Sequence, residues 1–178
     1  PFPEELTRVL SAKLGLIDIF FCQDKKAVAN ISHFKKTAYC TRYNTMLDSL
    51  HLAQKSLVVT KQTKNNEKFA IVSLHRFETI IKKEKLEMVV TEVKKIANKI
   101  KLFFILHPPT RAYLKKNDLY DCLEEDPRCE LLARQSFFEF SNLLSKAEFL
   151  ITDGGSNQEE CFYLGIPCLL FRSETERS

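Results

Sequence analysis

The sequence predicts an α/β fold, a parallel sheet with helices on both faces, and three observations point to it. From Lys68 onward, short and unbroken apolar runs recur; amphipathic helical patterns stand between them; and the connections are short. Unbroken apolar runs mark strands buried on both faces. Their regular alternation with helices is the pattern of a parallel sheet built from crossover units.

Phe69-Ala70-Ile71-Val72-Ser73-Leu74 is the first such strand, followed by a long helix with Ile80, Ile81, Met88, Val89, Val93, Ile96 and Ile100 apolar and lysines between them. Leu102–Leu106 is a second strand, stopped by His107-Pro108-Pro109. A helix at Arg111–Leu123, a strand near Glu130–Ala133 and a helix at Phe137–Ala147 come next. A strand at Glu148–Asp153, a helix from Asn157 to Leu164 and a strand at Pro167–Arg172 complete a Rossmann-like layer structure. Gly165 and Pro167 punctuate the last turn as a helix C-cap and an extended start.

Ahead of this run, Glu4–Leu14 reads as a helix, Leu16–Cys22 as a buried strand, Asp24–Ile31 as a helix, Thr37–Thr41 as a strand and Asn44–Lys55 as a helix. One or two strands do not make a stable sheet alone. Residues 1–60 are therefore expected to be the end of a preceding α/β domain, and residues 61–178 a second domain. The polar stretch from Lys61 to Lys68 marks the boundary.

Composition excludes several classes. With 27 Lys+Arg against 23 Asp+Glu, the net charge is +4, without the clustered basic face that nucleic acid requires. Lys82, Lys83, Lys85, Lys94 and Lys95 suit the wet side of a helix. The six cysteines form no CxxC pair, and His33, His51, His75 and His107 stand at no zinc spacing to them. Cys22, Cys40, Cys161 and Cys168 lie in or beside apolar runs, where buried reduced thiols are expected. No apolar run reaches the roughly 18 residues of a membrane span, and no leader pattern opens the chain. The cytoplasm is the expected compartment. A chain that opens on Pro1 and stops after Arg177-Ser178 is expected to be part of a longer protein.

Ligands of open parallel sheets bind beyond the carboxyl ends of the strands, and two such ends stand out. Thr152-Asp153 runs into Gly154-Gly155-Ser156 and a helix start. Glycines and the free N–H groups of a first helical turn suit a phosphate, though a tight turn explains them too. Glu160, one turn on, reads as a ribose ligand or a surface acid. His75-Arg76 ends the first strand and His107 the second; both are placed to meet a diphosphate or to be structural. Glu4 and Arg8, four apart in Pro1–Arg8, share a helix face and pair or serve a site.

In order, PFPEELTR (1–8), YNTMLDSL (43–50), HRFE (75–78), HPP (107–109), TDGGSNQEE (152–160), LGIPCLLFR (164–172) and TERS (175–178) resemble the non-hydrolysing UDP-N-acetylglucosamine 2-epimerases. The resemblance implies two Rossmann-like domains in a GT-B arrangement, of which this chain holds the carboxy-terminal one and a remnant of the other. It implies epimerisation of a UDP-N-acetylhexosamine at carbon 2, UDP-GlcNAc to UDP-ManNAc, for surface polysaccharide precursors. The reaction eliminates UDP and adds it back after the proton returns on the opposite face. No cofactor and no metal is implied. The implied partners are the UDP-sugar and the rest of the amino-terminal domain, with a homodimer as one assembly; neither nucleic acid nor a membrane is among them.

By resemblance, Glu4 assists proton transfer, Arg8 supports that site, and His75 stabilises charge on the departing diphosphate. His107 lies beside it. Gly154, Gly155 and Ser156 offer N–H groups to the diphosphate, Glu160 holds the ribose, Phe140 stacks on the uracil, and Arg177 contacts the phosphate and sugar region. The family's DSGGIQEE stands here as DGGSNQEE. Its GTRPE, GDT and HxEAG motifs, which carry the remaining catalytic acids and a lysine, do not occur in this sequence, so the chain alone is expected to be inactive. An epimerase for a different UDP-acetamido sugar and a non-catalytic UDP-sugar-binding module are the alternatives. A GT-B glycosyltransferase is set aside because HRFE and TERS resemble the epimerase more.

Overall fold

In the computed structural model, residues 4–56 and 67–172 are described. The side chains of Glu4 and Glu5, the Lys61–Asn66 part of the boundary stretch, and TERS with Arg177 lie outside the described residues. By packing, the chain divides into Pro1–Thr45 and Met46–Ser178. This division falls ahead of the polar stretch and assigns the helix α3 (Thr45–Ser56), all but its first residue, to the larger unit.

The smaller unit holds α1 (Glu4–Lys13), β1 (Ile19–Cys22), α2 (Lys25–Ile31), a 3-10 turn (Ser32–Phe34) and β2 (Thr37–Cys40). Asp24 caps α2, its Oδ1 accepting from Ala27 N at 2.7 Å, the usual service of a short acid at that position. β1 and β2 pair in parallel, from Ile19 opposite Thr37 to Cys22 opposite Cys40. The expectation of a buried strand at Leu16–Cys22 fails here. The strand is shorter, Phe21 is 74% exposed, and of its residues Cys22 alone is buried. A sheet of two strands has too little neighbouring structure to cover both faces. Cys40, on β2, is exposed for the same reason, and Cys168 is half-buried, whereas Cys22 and Cys161 are buried; all six cysteines are free.

The larger unit carries a five-stranded parallel sheet in the order β5-β4-β3-β6-β7. Its strands are β3 (Phe69–Ser73), β4 (Lys101–Leu106), β5 (Cys129–Ala133), β6 (Leu150–Thr152) and β7 (Cys168–Leu170). Between them run α4 (Phe77–Ile80), α5 (Lys83–Ala97), α6 (Pro108–Lys116), α7 (Asp121–Glu124), α8 (Phe137–Leu144) and α9 (Gly155–Leu164). Two helices expected as single pieces are broken. Lys82 is extended between α4 and α5, and Asp118 takes φ 58° between α6 and α7. A left-handed residue ends a helix, and aspartate tolerates it better than most.

Alternation of side chains along each strand builds two cores. Ala70, Val72 and Leu74 of the β3 run and Leu102, Phe104 and Leu106 of β4 face one side, against Leu86, Val90 and Val93 of α5, Leu114 of α6 and Leu123 of α7. Ile71 and Ile105 face the other, against Phe140 and Leu144 of α8 and Cys161 of α9. Both faces are covered, which explains the unbroken apolar runs. The strand order reverses its direction of growth between β3 and β6. A crevice opens at the carboxyl edge of such a switch point.

Candidate functional site at the carboxyl edge of the sheet

At the reversal, the end of β3 delivers His75 and Arg76, and the end of β6 delivers Asp153 and the glycines. Asp153 is wholly buried. Its Oδ1 and Oδ2 accept from the His75 backbone N–H at 3.1 and 3.2 Å, and Oδ2 also accepts from Arg76 N at 3.0 Å. These bonds clamp the ends of two adjacent strands together. A second clamp comes from α6, where Thr110 Oγ1 donates to Leu74 O at 2.6 Å. Pro108 and Pro109 start that helix rather than merely ending β4.

The His75 ring is held on three sides. It stacks on His107 with centroids 4.5 Å apart and an interplanar angle of 29°. Its Nδ1 lies 3.5 Å from Asp153 Oδ1, the carboxylate being its near neighbour although no hydrogen bond is formed at that distance. Against its Cε1 stands Gly154, where an added Cβ would come within 3.2 Å of the ring and 2.8 Å of Asn157 Oδ1. Gly154 has φ −90°, so close approach by the Asn157 amide and the His75 ring, not backbone strain, favours glycine there.

Gly154 is also the N-cap of α9, with no side-chain cap. The first intrahelical bond runs from Gln158 N to Gly154 O at 3.4 Å. The N–H groups of Gly155 and Ser156 therefore precede the helical ladder and, with the positive end of the dipole, make this end suited to an anion. Behind them runs a relay. Gly154 N donates to Thr152 Oγ1 at 3.0 Å, Thr152 Oγ1 to Asn157 Oδ1 at 3.1 Å, and Asn157 Nδ2 to Glu160 Oε2 at 3.0 Å. Glu160 is no surface acid: it is 5% exposed. Burial pushes its carboxyl above the usual range, against the bond from Asn157, and Glu159 adds to the rise.

Basic groups continue across the edge. Burial, with the charges of His75 and Arg134 beside it, holds the His107 imidazole below its ordinary pKa, while Asp153 pulls the other way. Arg134 follows the last residue of β5, and Arg172 lies just past β7. Arg76 pairs with Glu78 at 3.3 Å. A backbone hydrogen bond, then Arg76, and after it Arg172, lower the Glu78 carboxyl against partial burial. Each strand of the sheet thus ends in a basic side chain or, at β6, in a helix N-terminus. Such an edge suits a diphosphate.

His75, His107, Gly154, Gly155, Ser156 and Glu160 are the expected site residues gathered in this larger unit's carboxyl edge. Phe140, on α8, packs among Ile105, Leu144 and Cys161 and keeps 8% of its surface exposed. Arg8 lies on α1 in the smaller unit. Asp153, Asn157, Thr110 and Arg134 escaped the sequence reading. For Arg134 a signal existed, since it follows a strand as His75 and His107 do. A 410 Å³ cavity under α8, lined by Phe69, Lys101, Phe103, Leu132 and Lys146, includes the residues that open β3 and β4. It runs from there along α8 to Leu132 and Gln135 at the far end of β5, away from the β3–β6 reversal. Among the described residues no cluster of His, Cys, Asp and Glu could hold a metal, and no helix is long and apolar enough to cross a membrane.

Residues 1–178 match the family model described as UDP-N-acetylglucosamine 2-epimerase. The chain is 32% identical over 186 residues to a UDP-N-acetylglucosamine 2-epimerase of Methanococcus maripaludis, covering 98% of this chain and 50% of that protein. It is 28% identical to a UDP-2,3-diacetamido-2,3-dideoxy-D-glucuronate 2-epimerase of Pseudomonas aeruginosa, covering 98% of this chain and 48% of that protein. Among solved structures, it is similar to the Methanocaldococcus jannaschii UDP-GlcNAc 2-epimerase in complex with UDP-GlcNAc and UDP. There the TM-score is 0.82 at 27% identity, over 98% of this chain and 50% of that one. The chain spans about half the length of the curated relatives it matches.

Proposed function

Because the chain belongs to the UDP-N-acetylglucosamine 2-epimerase family, we propose that it is the nucleotide-binding part of an enzyme that inverts carbon 2 of UDP-GlcNAc to give UDP-ManNAc. The observation that carries this reading is the carboxyl edge at the β3–β6 reversal, where imidazoles, arginines and an uncapped helix N-terminus converge.

Each group has a part in an elimination that expels UDP. The N–H groups of Gly155 and Ser156 receive the diphosphate. His75, with His107 beside it, meets the charge that develops on the leaving oxygen, where preorganised donors act most strongly. Glu160, held by Asn157, accepts from the ribose hydroxyls. Phe140 forms a fixed wall for the uracil. Glu4 and Arg8 serve the sugar, and Arg177 the phosphate and sugar region.

The proton at carbon 2 needs an acid and a base on opposite faces of the sugar. This chain supplies few such groups, so the reading includes an amino-terminal domain that brings the rest, a second copy as an assembly partner, and a cytoplasmic location. A second reading keeps the chemistry and changes the sugar. It is favoured by the similarity to a relative named for a diacetamido-glucuronate.

The test is an incubation of UDP-GlcNAc in deuterated water with a protein that joins this chain to such an amino-terminal domain. Deuterium at carbon 2 of both epimers is the expected result. Release of free UDP without deuterium uptake would contradict it. Exchange on a diacetamido-uronate alone would favour the second reading.

A further inference from the structure

Asp153 sits oddly for a group at an anion site. It is a wholly buried carboxylate, and its negative charge opposes any diphosphate that arrives beside it. A buried carboxylate is stable only when donors satisfy it. Here the donors are the backbone N–H groups of His75 and Arg76, at 3.0 to 3.2 Å. Its effect on a ligand is therefore geometric and runs through the β3 end that it holds.

The ring of His75 supplies the second half of the argument. Nδ1 is buried without a hydrogen-bond partner and lies 3.5 Å from Asp153 Oδ1. The side chain is 38% exposed, so the accessible part of the ring is the side bearing Nε2. The stack on His107 and the tight approach of Gly154 leave the ring little freedom to turn. Contacts of this kind shorten when a ligand completes the site, and the partner of one imidazole nitrogen decides which nitrogen carries the proton.

We propose that Asp153 is the positioning residue for His75: it fixes the backbone at the end of β3 and receives Nδ1–H, so that Nε2 is presented to the diphosphate. This rests on the nucleotide-binding reading above. In this role Asp153 acts through the end of β3 that it holds, by the His75 and Arg76 N–H groups and the His75 ring, rather than by contact with the substrate.

The tautomer of His75 is the direct test, read from long-range 15N–1H correlations on this chain at alkaline pH. The expected result is a protonated Nδ1 and an unprotonated Nε2. A predominant Nε2–H form in the wild-type chain would overturn the proposal without any variant. The companion experiment is Asp153→Asn. An amide replaces one acceptor oxygen by a donor, which must then face the His75 or Arg76 N–H groups or Nδ1–H. In a variant that keeps its helical signal, a mixed tautomer is expected, with UDP affinity lowered roughly tenfold to a hundredfold, as for outer carboxylates behind ligating histidines. Tighter UDP binding with the tautomer unchanged would mean that Asp153 acts only as an opposing charge. If the wild-type chain bound no UDP, the nucleotide-binding reading would fall, while the tautomer would still decide what Asp153 does to His75.

Discussion

At the scale of residues, two positions show how a departure from a family pattern can be compensated next door. The family's DSGGIQEE places a serine where Gly154 stands and an isoleucine where Asn157 stands. In this chain the Asn157 amide lies where a side chain at 154 would go, 2.8 Å from an added Cβ. It uses that place to accept from Thr152 and to hold Glu160. Gly154→Ser alone is expected to destabilise by about 1–3 kcal/mol, as overpacking does. Asn157→Ile should relieve part of that, giving a coupling of roughly 1 kcal/mol between neighbours. Denaturant unfolding of both single variants and the double variant checks this, and strict additivity would refute it. The sequence showed the glycines and Glu160 because residue type and place after a strand suffice to mark them. It did not show the roles of Asp153 or Asn157, because a carboxylate clamp between β3 and β6 links residues 78 apart, and no local pattern encodes that pairing.

At the scale of elements, the strands of the larger unit were legible because burial on both faces writes an unbroken apolar run. The helices were legible in kind but not in extent. Their breaks at Lys82 and Asp118 depend on single backbone conformations that tertiary packing selects. β1 is largely exposed despite its apolar run, because such a run does not say how many neighbours a strand will have. α8, which crosses from β5 to β6, begins with reciprocal capping. Ser136 Oγ accepts from Glu139 N at 3.3 Å and Glu139 Oε2 accepts from Ser136 N at 2.9 Å. Ser136→Ala is expected to lower stability by about 1 kcal/mol, seen as a fall in the denaturation midpoint with an unchanged slope. An unaltered midpoint would mean that core burial of Phe140 and Leu144 alone sets the helix start.

At the scale of the whole molecule, a sheet reversal, an edge lined with basic groups and membership of one family point the same way. Strand order places the crevice between β3 and β6, and the sequence loads that crevice with His75, the glycine turn and Glu160. The central claim is that this edge holds UDP, and calorimetric titration of the chain with UDP, alongside Glu160→Ala, tests it most directly. Saturable binding to the wild-type chain, weakened at least tenfold (about 1.4 kcal/mol) in the variant, is the expected result. Binding that ignores the loss of Glu160, or no binding to the wild-type chain, would contradict the claim.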